Sequence, residues 1–118
     1  MGRAIAQVMM LSDVENVYLI DISNQTLIDA KKTLKFYMEK LKAKNFFSHK
    51  GKAKKIFNKL ITSTHLDDYV FNSDLIVEAI PEDIELKTNL LRNLGDNISN
   101  KTIIASNTPT FTITELGE

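Results

Sequence analysis

Gly2 and Asp21 stand 19 residues apart, with a small-residue segment and a short apolar run between them. In a unit that binds a dinucleotide, a glycine inside the first helix lets helix and strand pack closely. An acid about 20 residues on, at the end of the next strand, accepts from ribose hydroxyls. A carboxylate at Asp21 repels a 2′-phosphate, so the pattern points to NAD rather than NADP. Both residues are common at such places, and the pair alone is weakly specific. A second group is Ile80-Pro81-Glu82 with Lys87, directly after the strongest apolar run, Asp74–Ile80. Ligands of open α/β sheets lie beyond the carboxyl ends of strands. Glu82 would equally complement the positive end of a helix dipole, and Lys87 would equally be a solvated lysine. Asn107-Thr108 follows the next apolar run in the same way, and an ordinary polar turn accounts for it as well.

These residues need elements to position them. Residues 2–12 read as a helix with Ile5, Val8, Met9 and Ser12 on one face. Asn16–Asp21 reads as a buried strand. Ser23 suits the N-cap of a helix of about 20 residues, in which Leu27, Ala30, Leu34, Tyr37 or Met38, and Leu41 recur at helical steps. Residues 45–51 break that pattern and end in Gly51. A shorter helix is expected over 52–59, a strand over 60–64, a helical turn over 66–72 and a strand over 74–80, which Pro81 stops. Asp83 can cap a helix carrying Leu86, Leu90, Leu91 and Leu94, closed by Gly95 in the left-handed conformation. Residues 102–106 read as a strand, 107–112 as a polar turn, and 113–118 as the start of a helix. Continuous apolar strands alternating with helices predict an α/β fold: a doubly wound parallel sheet in one domain over 1–118. Such a domain normally opens with a strand. Here a helix comes first, so the first strand is expected to be missing, with Asn16–Asp21 the second strand and Asp74–Ile80 the fourth.

Composition narrows the chemistry. Of 118 residues, 43% are hydrophobic and 25% charged, as in ordinary globular domains. The absence of cysteine excludes disulfides, thiolate zinc sites and cysteine nucleophiles, and two histidines, His49 and His65, make a histidine-rich metal centre improbable. No metal site is expected. Apolar runs fall far short of the ~20 residues that span a bilayer, and the first residues fit neither a signal peptide nor a myristoylation site. No membrane partner is expected. The zero net charge hides an asymmetry: residues 31–60 hold eleven lysines and one acid, Glu39, so that segment is +10 and the remainder −10. This is either an anion-binding surface or a solvated helix face. Nucleic acid is not expected, because the segment has no arginine and Phe36, Tyr37, Phe46, Phe47 and Phe57 read as packing residues.

IAQV after Met-Gly, LIDIS, DLIVEAIPEDIELK and IIASNTPTFTITEL together resemble the NAD-binding domain of the L-3-hydroxyacyl-CoA dehydrogenases, over essentially the whole chain. The lysine-rich helical hairpin between the second and third strands is similar to that of the family's mitochondrial short-chain form. The resemblance implies a Rossmann-type domain of an enzyme that oxidises the 3-hydroxyl of an acyl-CoA with NAD in fatty-acid β-oxidation. It implies that Asp21 holds the adenosine ribose, that Met1, Gly2, Ile80, Pro81, Glu82 and Lys87 line the cofactor, and that Lys44 contacts CoA. It also implies a mitochondrial matrix location, or else a cytoplasmic one, and a homodimer formed through a C-terminal domain. The family has a strand and two further glycines before the position of Met1. Its catalytic histidine, the acid that orients it and an active-site asparagine lie beyond Glu118, so no catalytic residue is expected in this chain, which alone is expected to be inactive. The family's substrate-touching serine falls on Pro109, which has no hydroxyl, and Thr110 carries the nearest one. A non-catalytic dinucleotide- or CoA-binding module and a different Rossmann hydroxyacid dehydrogenase are the alternatives. The lysine-rich hairpin argues against the second.

Overall fold

The computed structural model describes residues 2–106. They divide into two compact units, Arg3–His65, which holds all of α1 but its first residue Gly2, and a second that begins at Leu66.

The first unit contains α1 (Gly2–Met10), β1 (Val17–Ile20), α2 (Asn24–Ala43), α3 (Lys52–Phe57) and β2 (Leu60–Ser63). β1 and β2 pair in parallel, from Val17 opposite Leu60 to Ile20 opposite Ser63. The Ser23 hydroxyl caps α2 by accepting from the Thr26 N–H at 3.2 Å, as its residue type predicts. α2 has 20 residues and buries Leu27, Ala30, Leu34 and Met38, a stripe at steps of three and four. Gly51, at φ +88°, makes the left-handed entry to α3. Met10, Leu34, Met38, Ile56 and Leu60 form the core, with Leu11, Val17, Leu19, Tyr37, Phe47 and Phe57 packed against it.

Two sequence expectations fail here. α1 ends at Met10 and buries Ala6 and Met10, while Val8 is 63% exposed and Ser12 is exposed. Met10 enters the core beside Leu34 and Met38, which fixes the helix phase. Val8 then lies about 200° round the helix from Met10 and faces out. Phe36 and Phe46 are also exposed, at 62% and 61%, rather than packed. Phe36 lies under the Lys40 ammonium, 4.8 Å from the ring centroid, and Phe46 stacks edge-on against Phe47.

The second unit contains α4 (Asp68–Phe71), β3 (Leu75–Glu78), α5 (Ile84–Asn97) and β4 (Ile103–Ser106). β3 and β4 pair in parallel, from Leu75 opposite Ile103 to Glu78 opposite Ser106. Each sheet has two strands, so β1 and β3 each carry one edge without a ladder partner among the described residues. The Thr102 hydroxyl donates to the Ser73 carbonyl at 2.8 Å and ties the starts of the two strands together. Asp83 caps α5 through the Leu86 N–H at 3.1 Å. Val70 and Leu94 are the buried apolar residues. Gly95 does not close α5: the helix runs on to Asn97, and Gly51 is the one described glycine with positive φ. The Asn97 side chain reaches back to the Asn93 carbonyl at 2.8 Å, and the Ile98 N–H bonds to the Leu94 carbonyl. These contacts supply partners for the last turn without a left-handed glycine.

Candidate functional site

The carboxyl end of β3 carries the two buried charged residues of the described chain. Glu78 is 2% exposed and Lys87 has no exposed surface. β3 ends at Glu78, Pro81 prevents its continuation, and Asp83 starts α5 so that Lys87 lies in the early helix on its inner face. One oxygen of Glu78, Oε1, accepts from the Ile80 N–H at 2.6 Å. The other, Oε2, accepts from Lys87 Nζ at 3.3 Å and from the Ser106 hydroxyl of β4. Lys87 Nζ also donates to Glu82 Oε1 at 2.8 Å, and that carboxylate is 37% exposed. Burial opposes charge on Lys87. The hydrogen bonds and negative charges of Glu82 and Glu78 outweigh it and hold the ammonium above its ordinary value of 10.5. The cluster thus has an anion at its base, a cation above it and a second anion at the rim, and every described buried polar side-chain atom has a partner.

The structure brings Ile80, Pro81, Glu82 and Lys87 together at this turn. The alternative of a solvated Lys87 is overturned, because the side chain is fully covered. Asp21 directly follows β1. Its N–H donates to the Ser63 carbonyl at 3.3 Å, and its Oδ1 accepts from the Ser23 N–H at 2.8 Å. Oδ2 has no hydrogen bond among the described residues. Gly2 is the half-buried first residue of α1. Lys44 is exposed at the C-cap of α2. The lysines of 31–60 form no ion pair among the described residues, though Lys59 Nζ donates to the Ser12 carbonyl at 3.1 Å. A separate shallow cleft of 360 Å³ is lined by His49, Lys52, Lys55, Lys59 and Asp13 among others, and Lys44 is not part of it. Met1, Asn107, Thr108, Pro109 and Thr110 lie outside the described residues.

Sequence reasoning missed Glu78 and Ser106. The available signal was an acid inside an otherwise apolar strand, LIVEAI, with a lysine nine residues on. An acid at a covered strand position requires a cation or donors.

The family pattern described as "3-hydroxyacyl-CoA dehydrogenase, NAD binding domain" matches residues 1–118. The chain belongs to this family. It is 35% identical to the mitochondrial hydroxyacyl-coenzyme A dehydrogenase of Sus scrofa, over 98% of the chain and 38% of that protein. It is 30% identical to a peroxisomal fatty acid beta-oxidation multifunctional protein of Arabidopsis thaliana, over 100% of the chain and 16% of that protein. Among solved structures, the 3-hydroxybutyryl-CoA dehydrogenase of Escherichia coli K12 matches with a TM-score of 0.89 at 25% identity, over 98% of the chain and 24% of the other. The (S)-3-hydroxybutyryl-CoA dehydrogenase of Ralstonia eutropha matches with a TM-score of 0.84 at 27% identity, over 98% and 40%. The chain therefore spans well under half the length of these relatives. Membership of this family decides against a different Rossmann hydroxyacid dehydrogenase, and the helical hairpin of α2 and α3 agrees with that. Asp21 keeps one carboxylate oxygen not engaged by the described residues at the carboxyl end of β1, an acceptor of the kind a ribose hydroxyl requires.

Proposed function

We propose that this chain is the NAD-holding part, one domain over 1–118, of an enzyme that oxidises an L-3-hydroxyacyl-CoA to the 3-ketoacyl-CoA in fatty-acid β-oxidation. The observation that carries the reading is the Asp21 carboxylate directly after β1, with Oδ1 fixed by the Ser23 N–H and Oδ2 left to accept from a ribose diol. Met1 and Gly2, the latter at the start of α1, line the cofactor. Ile80, Pro81 and Glu82 line the cofactor, and Lys87 acts there through its contact with Glu82. NAD, when bound, supplies the hydride acceptor. The histidine that takes the hydroxyl proton belongs to the part of the enzyme after Glu118, as do the groups that make the dimer. Lys44 contributes charge toward the phosphates of CoA. A mitochondrial matrix location is supported by the names of the mammalian relatives, and a peroxisomal one by the plant relative.

A non-catalytic dinucleotide- or CoA-binding module is the second reading, and Pro109 at the family's serine position favours it. Calorimetric titration, with NAD and with NADP, of the chain preceded by the family's first strand and its glycines tests the cofactor assignment common to both. Saturable binding that prefers NAD supports it, and no binding of either overturns it. Oxidation of 3-hydroxybutyryl-CoA by the chain joined to the family's C-terminal domain separates the two readings, since only the first expects turnover.

A further inference from the structure

Glu82 stands at the rim of the turn that follows β3, and beneath it lies a covered acid, Glu78. Glu78 reaches three elements with one carboxylate: the Ile80 N–H of its own turn, Lys87 Nζ of α5 and the Ser106 hydroxyl of β4. A covered carboxylate is costly unless its lone pairs are satisfied, and here both oxygens are engaged, one by a cation. The partners are the ones that set the shape of the proposed cofactor edge. The Ile80 bond fixes the backbone that turns into Pro81. The Lys87 bond fixes the ammonium on which Glu82 rests at 2.8 Å. The Ser106 bond fixes the end of β4, immediately before Asn107-Thr108. The carboxylate of Asp83, the other acid of the turn, is engaged with the Leu86 N–H and forms no ion pair with Lys87, whose backbone N–H donates to the Asp83 carbonyl at 3.0 Å.

We propose that Glu78 is a positioning residue of the NAD site: from beneath, its covered carboxylate holds Lys87 against Glu82 and pins the turn at Ile80, so that Glu82 meets the cofactor in one fixed place. Glu78 touches no cofactor in this account. It acts through Lys87 and the backbone, and the proposal rests on the NAD-binding reading.

The charges around Lys87 give this role a signature. Glu78 from β3 and Glu82 from the turn face its ammonium, and Ser106 of β4 shares the Glu78 oxygen without adding charge. With both acids present, Lys87 stays protonated through the whole working range, and NAD affinity has no alkaline limb below the ordinary lysine range. Glu78→Gln keeps the side chain's shape and an acceptor but removes the charge that supports a covered cation. Lys87 then loses its proton at lower pH and releases Glu82.

The experiment is NAD titration, from pH 7 to 10, of the chain preceded by the family's first strand and its glycines, for the wild type, Glu78→Gln and Glu78→Asp. The Lys87 ammonium is followed in parallel by 15N NMR. Glu78→Gln is expected to weaken NAD binding by roughly ten-fold or more, the scale on which loss of an orienting partner is felt. The loss should deepen as pH rises, in step with deprotonation of Lys87. Glu78→Asp keeps the charge and should recover the flat pH profile with a smaller loss. If Glu78→Gln does not fold, Glu78→Asp carries the test, because its shorter carboxylate should still cost several-fold in affinity while leaving Lys87 charged. Wild-type affinity and a wild-type pH profile in both variants, with only a lower melting temperature, would overturn the proposal while leaving the NAD reading in place. Absence of NAD binding by the wild type overturns both.

Discussion

Lys87 Nζ lies 3.3 Å from Glu78 Oε2, and neither side chain touches solvent. Two charges removed from water cost several kcal/mol each, and their attraction offsets this only when the remaining lone pairs are also satisfied. Here Ser106, the Ile80 N–H and Glu82 complete the set. Removing one partner should therefore cost far more than removing both. Lys87→Met is expected to lower stability by about 3–5 kcal/mol, a large part of a typical total of about 5–15 kcal/mol. The double variant Glu78→Gln with Lys87→Met should regain much of that loss. Urea unfolding of the set checks it, and a single Lys87→Met that costs less than the double variant would contradict the buried pair.

The same pair gives the chain an alkaline limit. The folded chain holds the Lys87 proton more tightly than the unfolded chain, because the hydrogen bonds and charges of Glu82 and Glu78 outweigh the burial that opposes charge. The resulting stabilisation is fully present below the ordinary lysine value of 10.5 and is lost as pH rises through the higher folded value. Melting temperature measured between pH 8 and 12 (the span of roughly one lysine titration,) should fall at the alkaline end. Lys87→Met should start lower and lack that part of the fall. Equal slopes in the two proteins would remove Lys87 from the explanation.

What the sequence made legible was the local part. Ser23 and Asp83 announce their helices because a cap bonds within three residues, to Thr26 and Leu86. The long helix, with Leu27, Ala30, Leu34 and Met38 on one side, is written in its own periodicity. The non-local part was not legible. α1 is rotated by Met10 meeting Leu34 and Met38, and nothing within α1 says so. Glu78 is covered because its partners arrive 9 and 28 residues later, and a strand pattern read alone runs past such an acid to Pro81. At the turn after β3, the positions of Ile80, Pro81, Glu82 and Lys87 could be read from the strand's end, and the buried anion that ties Ile80 and Lys87 together could not.

Asp21 offers a cleaner test than deletion. Its Oδ1 accepts the Ser23 N–H, so Asp21→Ala would disturb the start of α2 as well as the ligand. Asp21→Asn keeps an acceptor for that N–H and removes the charge. NAD affinity should fall by about 1.5 kcal/mol, the scale of a lost charged hydrogen bond and roughly ten-fold. NADP, no longer repelled, should lose less or gain, so the preference narrows. Calorimetry with both nucleotides reads this, and an unchanged ratio would take Asp21 out of cofactor selection.

Lys44 is exposed at the end of α2, in a segment whose lysines make no ion pair among the described residues. Phosphate contacts by such lysines are screened over about 8 Å at physiological ionic strength. Affinity for CoA, measured by titration at rising salt, should therefore decline. Lys44→Ala should lower it and flatten the salt dependence, while Lys101→Ala, an exposed lysine of the other unit, should change neither. Like behaviour of the two variants would mean that the lysine-rich face is only solvated.

The two described glycines outside the first helix should respond to alanine in opposite directions. Gly95 lies inside α5 with no positive φ, and a Cβ placed there meets nothing within 4 Å. Gly95→Ala removes backbone freedom from the unfolded chain and adds helix propensity. It should therefore stabilise the chain by about 0.5–1 kcal/mol. Gly51 also has open space around a Cβ, but its φ is +88°. Gly51→Ala forces an L-residue into the left-handed region and should destabilise by about 1–2 kcal/mol. Since sterics are absent at both sites, the difference isolates backbone conformation. Thermal melts of the two variants decide it. A Gly95→Ala protein that melts lower than the wild type would mean that Gly95 does end the helix, and that α5 stops short of Asn97.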